Sequence, residues 1–243
     1  MKKDKIYFAS DFHLGSPNLE DSHSRERKII SWLSMIEKDA KAIYLVGDIF
    51  DFWFEYKKVV PKGFVRVQGK LAELCDKGID INFIVGNHDM WVKDYFQKEI
   101  GLKVFENEIL IEENNQKILI CHGDGLDHGN TSFKLIKKIF KSKICRWFFS
   151  RIHPNLGVSL AHLWSNASRR KNSKKTNDNH EHLINYCKKH QKNHPIDFYV
   201  FGHLHSPIKE NIDLQSKYIN TGDWIQHCSY GVLSNKKLEI KKF

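Results

Sequence analysis

Gly86-Asn87-His88-Asp89 crowds an amide, an imidazole and a carboxylate into one turn, directly behind an apolar run from Ile79 to Val85. Polar turn residues after a strand are ordinary loop chemistry, so the tetrapeptide alone carries little weight. Four further clusters of the same kind also follow apolar runs: Asp11-Phe12-His13, Gly47-Asp48-Ile49-Phe50-Asp51, His122-Gly123-Asp124 and Gly202-His203-Leu204-His205. A lone Asp at a strand end is usually a turn or a cap, and a lone His is usually a surface or satisfied core residue. Five such clusters, each where a strand-like run stops, point instead to a single two-metal hydrolase site.

A site of that kind holds two divalent cations roughly 3.5–4 Å apart, clamping the attacking and leaving oxygens of an in-line displacement at phosphorus. Oxygen and imidazole donors suit Mn, Fe or Zn, and one carboxylate must bridge the pair. Asp11 and His13 stand two apart on an extended segment, so a bend after the strand aims both at one ion. Asp48 follows a glycine, which lets the backbone turn while the carboxylate bridges. Asn87 brings an amide oxygen, and His122, His203 and His205 bring imidazoles. A hydroxide held between the ions would be a nucleophile at neutral pH. His88 sits beside a ligand and suits a hydrogen bond to a phosphate oxygen or protonation of the leaving group, with Asp89 holding its tautomer. Asp51 and Asp124 read as carboxylates that orient histidine ligands.

The elements that must position these groups follow from apolar periodicity. Ile6 to Ser10, Ala42 to Val46 and Ile79 to Val85 read as buried strands, separated by amphipathic helices over Arg25 to Glu37 and Phe64 to Cys75. Alternation of strand and helix predicts a sheet with helical crossovers. A further helix is expected from near Trp91. Ile109 to Ile111 and Ile118 to Ile120 form a hairpin around a polar turn, Asp197 to Phe201 is another strand, and Ile208 to Ile240 continues as β structure. His180, His182, His190 and His194 lie in a polar, Lys-rich helix and are expected on its solvated face. Cys121 is expected in the core rather than on a metal.

The 243 residues read as one α/β domain, 1–243, carrying a helical insertion over 128–177. That insertion contains no Asp or Glu, is rich in Lys and Arg, and has more apolar residues than one helix face needs, with a break at Pro154. The net charge of +10 points to an anionic partner, either nucleic acid, an acidic membrane surface or a phosphorylated substrate. Five scattered cysteines without a C-x-x-C pair exclude a zinc ribbon or a disulfide framework. No signal peptide is read behind Met1, and no run reaches the ~18 apolar residues of a membrane span, so a reducing, cytosolic setting is expected.

Together the motifs D-x-H, G-D-x-x-D, G-N-H-D, H-G and G-H-x-H resemble those of the calcineurin-like metallophosphoesterase superfamily. The resemblance implies a four-layer α/β/β/α sandwich. It also implies one metal held by Asp11, His13, Asp48 and His205, and a second by Asp48, Asn87, His122 and His203. Within the superfamily the chain is similar to the UDP-2,3-diacylglucosamine diphosphatases of lipid A synthesis. The residues that carry this are Gly47 to Trp53, His122 to Leu126 and the basic, apolar lid. Ser168, Asn172 and Lys175 fall on lid positions that contact substrate in that family, and Asn87, His88 and His203 join them as substrate contacts. His88 and Asn130 stand where the best-known enzymes of this activity carry Arg and Asp. The implied reaction splits UDP-2,3-diacylglucosamine into UMP and the acylated sugar 1-phosphate, with two divalent ions, Mn foremost. The implied location is the cytoplasmic surface of an anionic inner membrane, and nucleic acid is disfavoured as a partner. The alternative is a nuclease or other phosphodiesterase on the same scaffold.

Overall fold

The computed structural model describes residues 3–126, 131–172 and 180–243, with the backbone alone for 131–134, 162, 164 and 166–172. Its first half alternates as the apolar pattern predicts: β1 (Lys5–Ala9), α1 (Leu19–Ile36), β2 (Ala40–Val46), α2 (Val65–Asp76), β3 (Asp80–Ile84) and β4 (Lys103–Phe105). β5 (Ile109–Glu113) and β6 (Gln116–Cys121) make the expected hairpin. Three helices follow, α3 (Thr131–Lys141), α4 (Lys143–Phe149) and α5 (Pro154–Asn172), then α6 (Glu181–Gln191). The chain closes with β7 (Phe198–Phe201), β8 (Ile208–Asn211), β9 (Lys217–Asn220), β10 (Ser229–Ser234) and β11 (Lys237–Lys242).

One sheet has the order β11-β10-β1-β2-β3-β4 and the other β5-β6-β7-β9-β8. β1 to β4 run parallel, as do β6, β7 and β9. Alternation along the strands decides what each face meets. Ile6, Phe8, Ala42, Tyr44 and Val46 pack against Ile118, Ile120, Phe198, Val200 and Ile219 of the second sheet. Tyr7, Ala9, Ile43 and Leu45 turn the other way, onto Ile29, Trp32, Leu33 and Ile36 of α1 and Val67, Leu71 and Leu74 of α2. On the far side Leu119, Tyr199, Phe201 and Tyr218 pack on Leu183 and Cys187 of α6. The result is the expected helix/sheet/sheet/helix layering, with every central strand buried on both faces.

Three expectations need correction. α1 begins at Leu19 rather than Arg25, because the Asn18 side chain accepts from Asp21 N at 2.9 Å and caps the helix there. No helix starts at Trp91. That residue makes a parallel bridge to Phe54, and its indole N–H donates to Phe140 O at 2.7 Å. Winding is limited to one π-turn, Phe96–Ile100, after Glu55 has taken the amides of Lys93, Asp94 and Tyr95 at 2.8, 3.1 and 3.2 Å. At α6 the solvated-face reading fails for two histidines: His180, at the helix N-cap, is buried with Nδ1 2.9 Å from the Tyr218 hydroxyl, and the half-buried His190 has Nδ1 3.0 Å from that of Tyr199.

α5 opens on Pro154, as a proline at the first helical position should. Nine of the seventeen exposed large hydrophobic side chains among the described residues lie on α3 to α5: Leu135, Ile136, Ile139, Ile144, Trp147, Phe148, Leu156, Leu160 and Leu163. The inner side of these helices is nonetheless fastened to the body. Phe149 packs on Phe52, Phe54 and Trp91, and Lys137 Nζ lies 2.5 Å from Asp124 Oδ2. No described helix is long and apolar enough to cross a membrane.

Candidate metal centre

Every candidate ligand leaves the C-terminal end of a parallel strand: Asp11 and His13 after β1, Asp48 after β2, Asn87 after β3, His122 after β6, and His203 and His205 after β7. The loops are stitched to one another. Asp11 N donates to Gly47 O at 3.0 Å, His13 N to Asp48 O at 3.0 Å, and Gly202 N to His122 O at 3.1 Å. Five of the seven candidates, Asp11, His13, Asp48, His203 and His205, have φ between 43° and 71°, a region that side chains other than glycine rarely adopt. Strain of this kind persists where the surroundings over-determine it, and it concentrates at functional sites. The glycines beside them are there for space. A Cβ on Gly202 would stand 2.5 Å from Ser10 Oγ, and one on Gly86 would stand 2.5 Å from Asp48 N.

The side chains converge in two neighbouring groups, Asp11/His13/His205 and Asp48/His122/His203, and His13 also belongs to a third with Asp51 and His88. Asp11 Oδ1 lies 3.6 Å from His13 Nε2 and 3.4 Å from His205 Nε2, and the two Nε2 atoms are 3.2 Å apart. Asp48 Oδ2 lies 3.3 Å from His122 Nε2 and 3.8 Å from His13 Nε2, so this carboxylate stands between the groups where a bridge is required. His122 gives Nδ1 to Val46 O at 2.8 Å, which leaves Nε2 for a cation. Asp11 Oδ1, Asn87 Oδ1 and His122 Nε2 are buried and have no hydrogen-bond partner. Such orphans cost about 1–3 kcal/mol each unless something else satisfies them. Carboxylate, amide and imidazole donors left bare in one pit fit a pair of divalent cations.

Ionisation follows the same geometry. Burial opposes charge on Asp48, but the His122 and His88 imidazoles hold its carboxyl well below the usual range. Burial likewise works against a charged His13, and the Asp11 and Asp51 carboxylates raise it to about 10. His203 drops to about 4 through burial and the neighbouring His122. Burial together with Asp48 pushes Asp89 up to about 7.

Of the outer groups, Asp51 is where it was expected, with Oδ1 3.4 Å from His13 Nδ1. Asp124 is buried beside His122 and pairs with Lys137. Asp89 does not hold the His88 ring. Its oxygens accept from Gly86 N at 2.7 Å and Ile49 N at 2.8 Å, clamping the Asp48 and Asn87 loops together. His88 Nδ1 instead meets Asp51 O at 3.0 Å. Lys175 and Asn130 lie outside the described residues, as do the side chains of Ser168 and Asn172.

Two contributors escaped the sequence reading. Asp223, after β9, places Oδ2 3.4 Å from His205 Nδ1. Arg25 of α1 donates to the carbonyls of Phe12, His13 and Ser16 at 3.1, 2.9 and 2.8 Å, bracing the β1 loop from behind. Thr221-Gly222-Asp223 repeats the strand, glycine and carboxylate pattern of Gly47-Asp48, and that was the available signal for Asp223. Nothing local marks Arg25.

Two sheets whose parallel strand ends gather these carboxylate and imidazole donors define a scaffold suited to metal-dependent phosphoryl hydrolysis, and the sequence comparisons agree. Residues 4–207 match the family model described as calcineurin-like phosphoesterase. A curated relative from Porphyromonas gingivalis (strain ATCC BAA-308 / W83), UDP-2,3-diacylglucosamine hydrolase, is 38% identical over 255 residues, covering 98% of this chain and 97% of its own. A protein of the same name from Histophilus somni (strain 129Pt) is 24% identical over 226 residues, covering 90% and 92%. Among solved structures, the E. coli phosphoesterase Yfce aligns with a TM-score of 0.49 at 17% identity, covering 98% of this chain and 92% of its own. The chain belongs to the calcineurin-like phosphoesterase family.

Proposed function

We propose that the chain hydrolyses the diphosphate bond of UDP-2,3-diacylglucosamine, releasing UMP and 2,3-diacylglucosamine 1-phosphate. The observation that carries this is the convergence of Asp11, His13, Asp48, His122, His203 and His205, in a chain 38% identical along nearly its whole length to a hydrolase named for that substrate. Two divalent ions, Mn foremost, would supply charge neutralisation at phosphorus and activation of water. Asp11, His13, Asp48 and His205 would hold one, and Asp48, Asn87, His122 and His203 the other. His88, with Nδ1 committed to Asp51 O, offers its other nitrogen to the substrate phosphate. Asp89 supports the reaction from behind by fixing the loops that carry Asp48 and Asn87.

Helices α3 to α5 supply what an acylated sugar nucleotide needs beyond the metals, an apolar surface for its chains and cations for its diphosphate. Ser168, Asn172 and Lys175 would complete the substrate contacts at the end of this 128–177 lid. The exposed apolar side chains, interspersed with Lys and Arg, also suit an anionic bilayer, where each base contributes about 1 kcal/mol. We accordingly propose a peripheral enzyme at the cytoplasmic face of the inner membrane.

The test is an assay of purified protein with Mn on UDP-2,3-diacylglucosamine, following UMP. Release of UMP in step with the acylated sugar phosphate, abolished in Asp48→Ala, is the expected result. The net charge of +10 keeps a nuclease as the second reading. Cleavage of nucleic acid with affinity falling steeply in salt, and no UMP release, would install that reading instead.

A further inference from the structure

Among the described side chains of α5, Ser165 touches the chemistry. Its hydroxyl lies 3.2 Å from Asp51 Oδ1 and 3.4 Å from His88 Nδ1, and the residue is 4% exposed. A carboxylate only accepts, so the hydroxyl hydrogen goes to Asp51. The Asp51 carbonyl oxygen, 3.0 Å from His88 Nδ1, also only accepts, so Nδ1 carries a hydrogen. The Ser165 oxygen keeps its lone pairs and stands as a second, longer acceptor for that same N–H.

The other contacts of the His88 residue come from the sheet-end loops. Its backbone N–H donates to Asp48 Oδ1 at 2.9 Å, and its ring stands edge-on to His13 with centroids 4.8 Å apart. Among the described side chains, α5 reaches this imidazole through the Ser165 hydroxyl. The helix is seated closely enough for that contact to be defined, since a Cβ on Gly157 would stand 2.6 Å from the Tyr56 hydroxyl and 3.2 Å from the Phe149 ring.

We propose that Ser165 is a positioning residue: it restricts the rotation of His88 and reinforces the Nδ1–H tautomer that the Asp51 carbonyl sets, making the presentation of that ring to substrate depend on the seating of α5. The proposal rests on the phosphate-facing role of His88 given above. Asp51 is the shared anchor, because its Oδ1 meets Ser165 and also stands 3.4 Å from His13 Nδ1.

The test combines a double-mutant cycle with a spectroscopic reading. With Mn and bis(p-nitrophenyl) phosphate, Ser165→Ala is expected to lower kcat about tenfold, as loss of an orienting partner does, with KM within about twofold. Ser165→Thr, which keeps the hydroxyl, restores most of the rate. In a His88→Asn background the same Ser165→Ala change alters kcat by less than about twofold, because residues acting through one another are not additive. Equal losses in both backgrounds, or a raised KM at unchanged kcat, overturn the proposal. In metal-free protein with 15N-labelled histidine, the His88 signals are those lost in His88→Asn. They are expected to report an Nδ1–H ring that shifts toward the other tautomer in Ser165→Ala, and an unshifted tautomer counts against it. Should the wild type hydrolyse neither this diester nor UDP-2,3-diacylglucosamine, the functional reading fails, while the histidine spectra still decide Ser165.

Discussion

The Asp223 carboxylate lies 3.4 Å from His205 Nδ1 and is itself held by the amides of Gln226 and His227 at 3.1 and 3.0 Å. Those contacts, with His205 the foremost among them, outweigh burial and bring its carboxyl down to about 2. A carboxylate behind Nδ1 fixes the tautomer of an imidazole and raises the basicity of Nε2, the nitrogen that faces Asp11. Asp223→Asn keeps the size and removes the charge. It is expected to weaken Mn affinity roughly 10–100-fold, read as the Mn concentration for half-maximal activity. An unchanged Mn requirement would remove Asp223 from the centre.

Bare, buried donors make the folded state a better home for cations than the unfolded chain. Mn at about 100 times its dissociation constant stabilises by roughly 2.7 kcal/mol. For a chain of this size that corresponds to a rise in Tm of roughly 5–10 °C. Thermal denaturation with and without chelator should show that rise in the wild type and lose it in Asp48→Ala, which removes the carboxylate standing between the two groups. A rise that survives the substitution would place the ions elsewhere.

Much of the centre was readable because each ligand sits in a local pattern: an apolar strand, a glycine where backbones nearly touch, then Asp, Asn or His. What escaped reading depends on partners distant in sequence. Arg25 looks like a polar face of α1 until its guanidinium is seen beneath the Phe12 and His13 carbonyls. His180 and His190 belong to a Lys-rich helix, yet Tyr218 and Tyr199, on strands reached only through the tertiary fold, draw them inward. The failed helix at Trp91 has the same origin, since Glu55, from a separate loop, takes the amides that would begin it. Asp89 was assigned to the adjacent ring because it is next in sequence, while its oxygens are committed to the amides of Gly86 and Ile49.

Glu37 joins α1 to α2 through Lys70 and Lys77, each 2.6 Å away, and the two ammonium groups hold its carboxyl at about 2. A carboxyl whose folded value is depressed stabilises fully above its ordinary range near 4.5, and that contribution is lost as pH falls from there through about 2. The cluster is solvent-accessible, so its worth is no more than about 1 kcal/mol, or roughly 2–4 °C in Tm. Glu37→Gln should therefore lower Tm by that amount at pH 7. The gap between variant and wild type should narrow below pH 4.5 and in high salt. A gap that widens in acid would contradict the assignment.

Trp147 separates the lipid reading of α3 to α5 from a purely structural one. The side chain is 52% exposed, with Phe148 edge-on at 5.0 Å and the Arg151 guanidinium 4.8 Å from its ring. An indole placed so contributes little to the core, and Trp147→Ala should leave Tm within a degree or two. If the exposed ring lies under acyl chains, its removal forfeits roughly 1.5–3 kcal/mol of apolar contact, a tenfold or greater fall in kcat/KM on UDP-2,3-diacylglucosamine. Bis(p-nitrophenyl) phosphate has no chains to lose, so its hydrolysis should stay within about twofold. Equal losses on both substrates would mean that Trp147 acts on the shared chemistry, and the apolar face of the helices would then need another occupant.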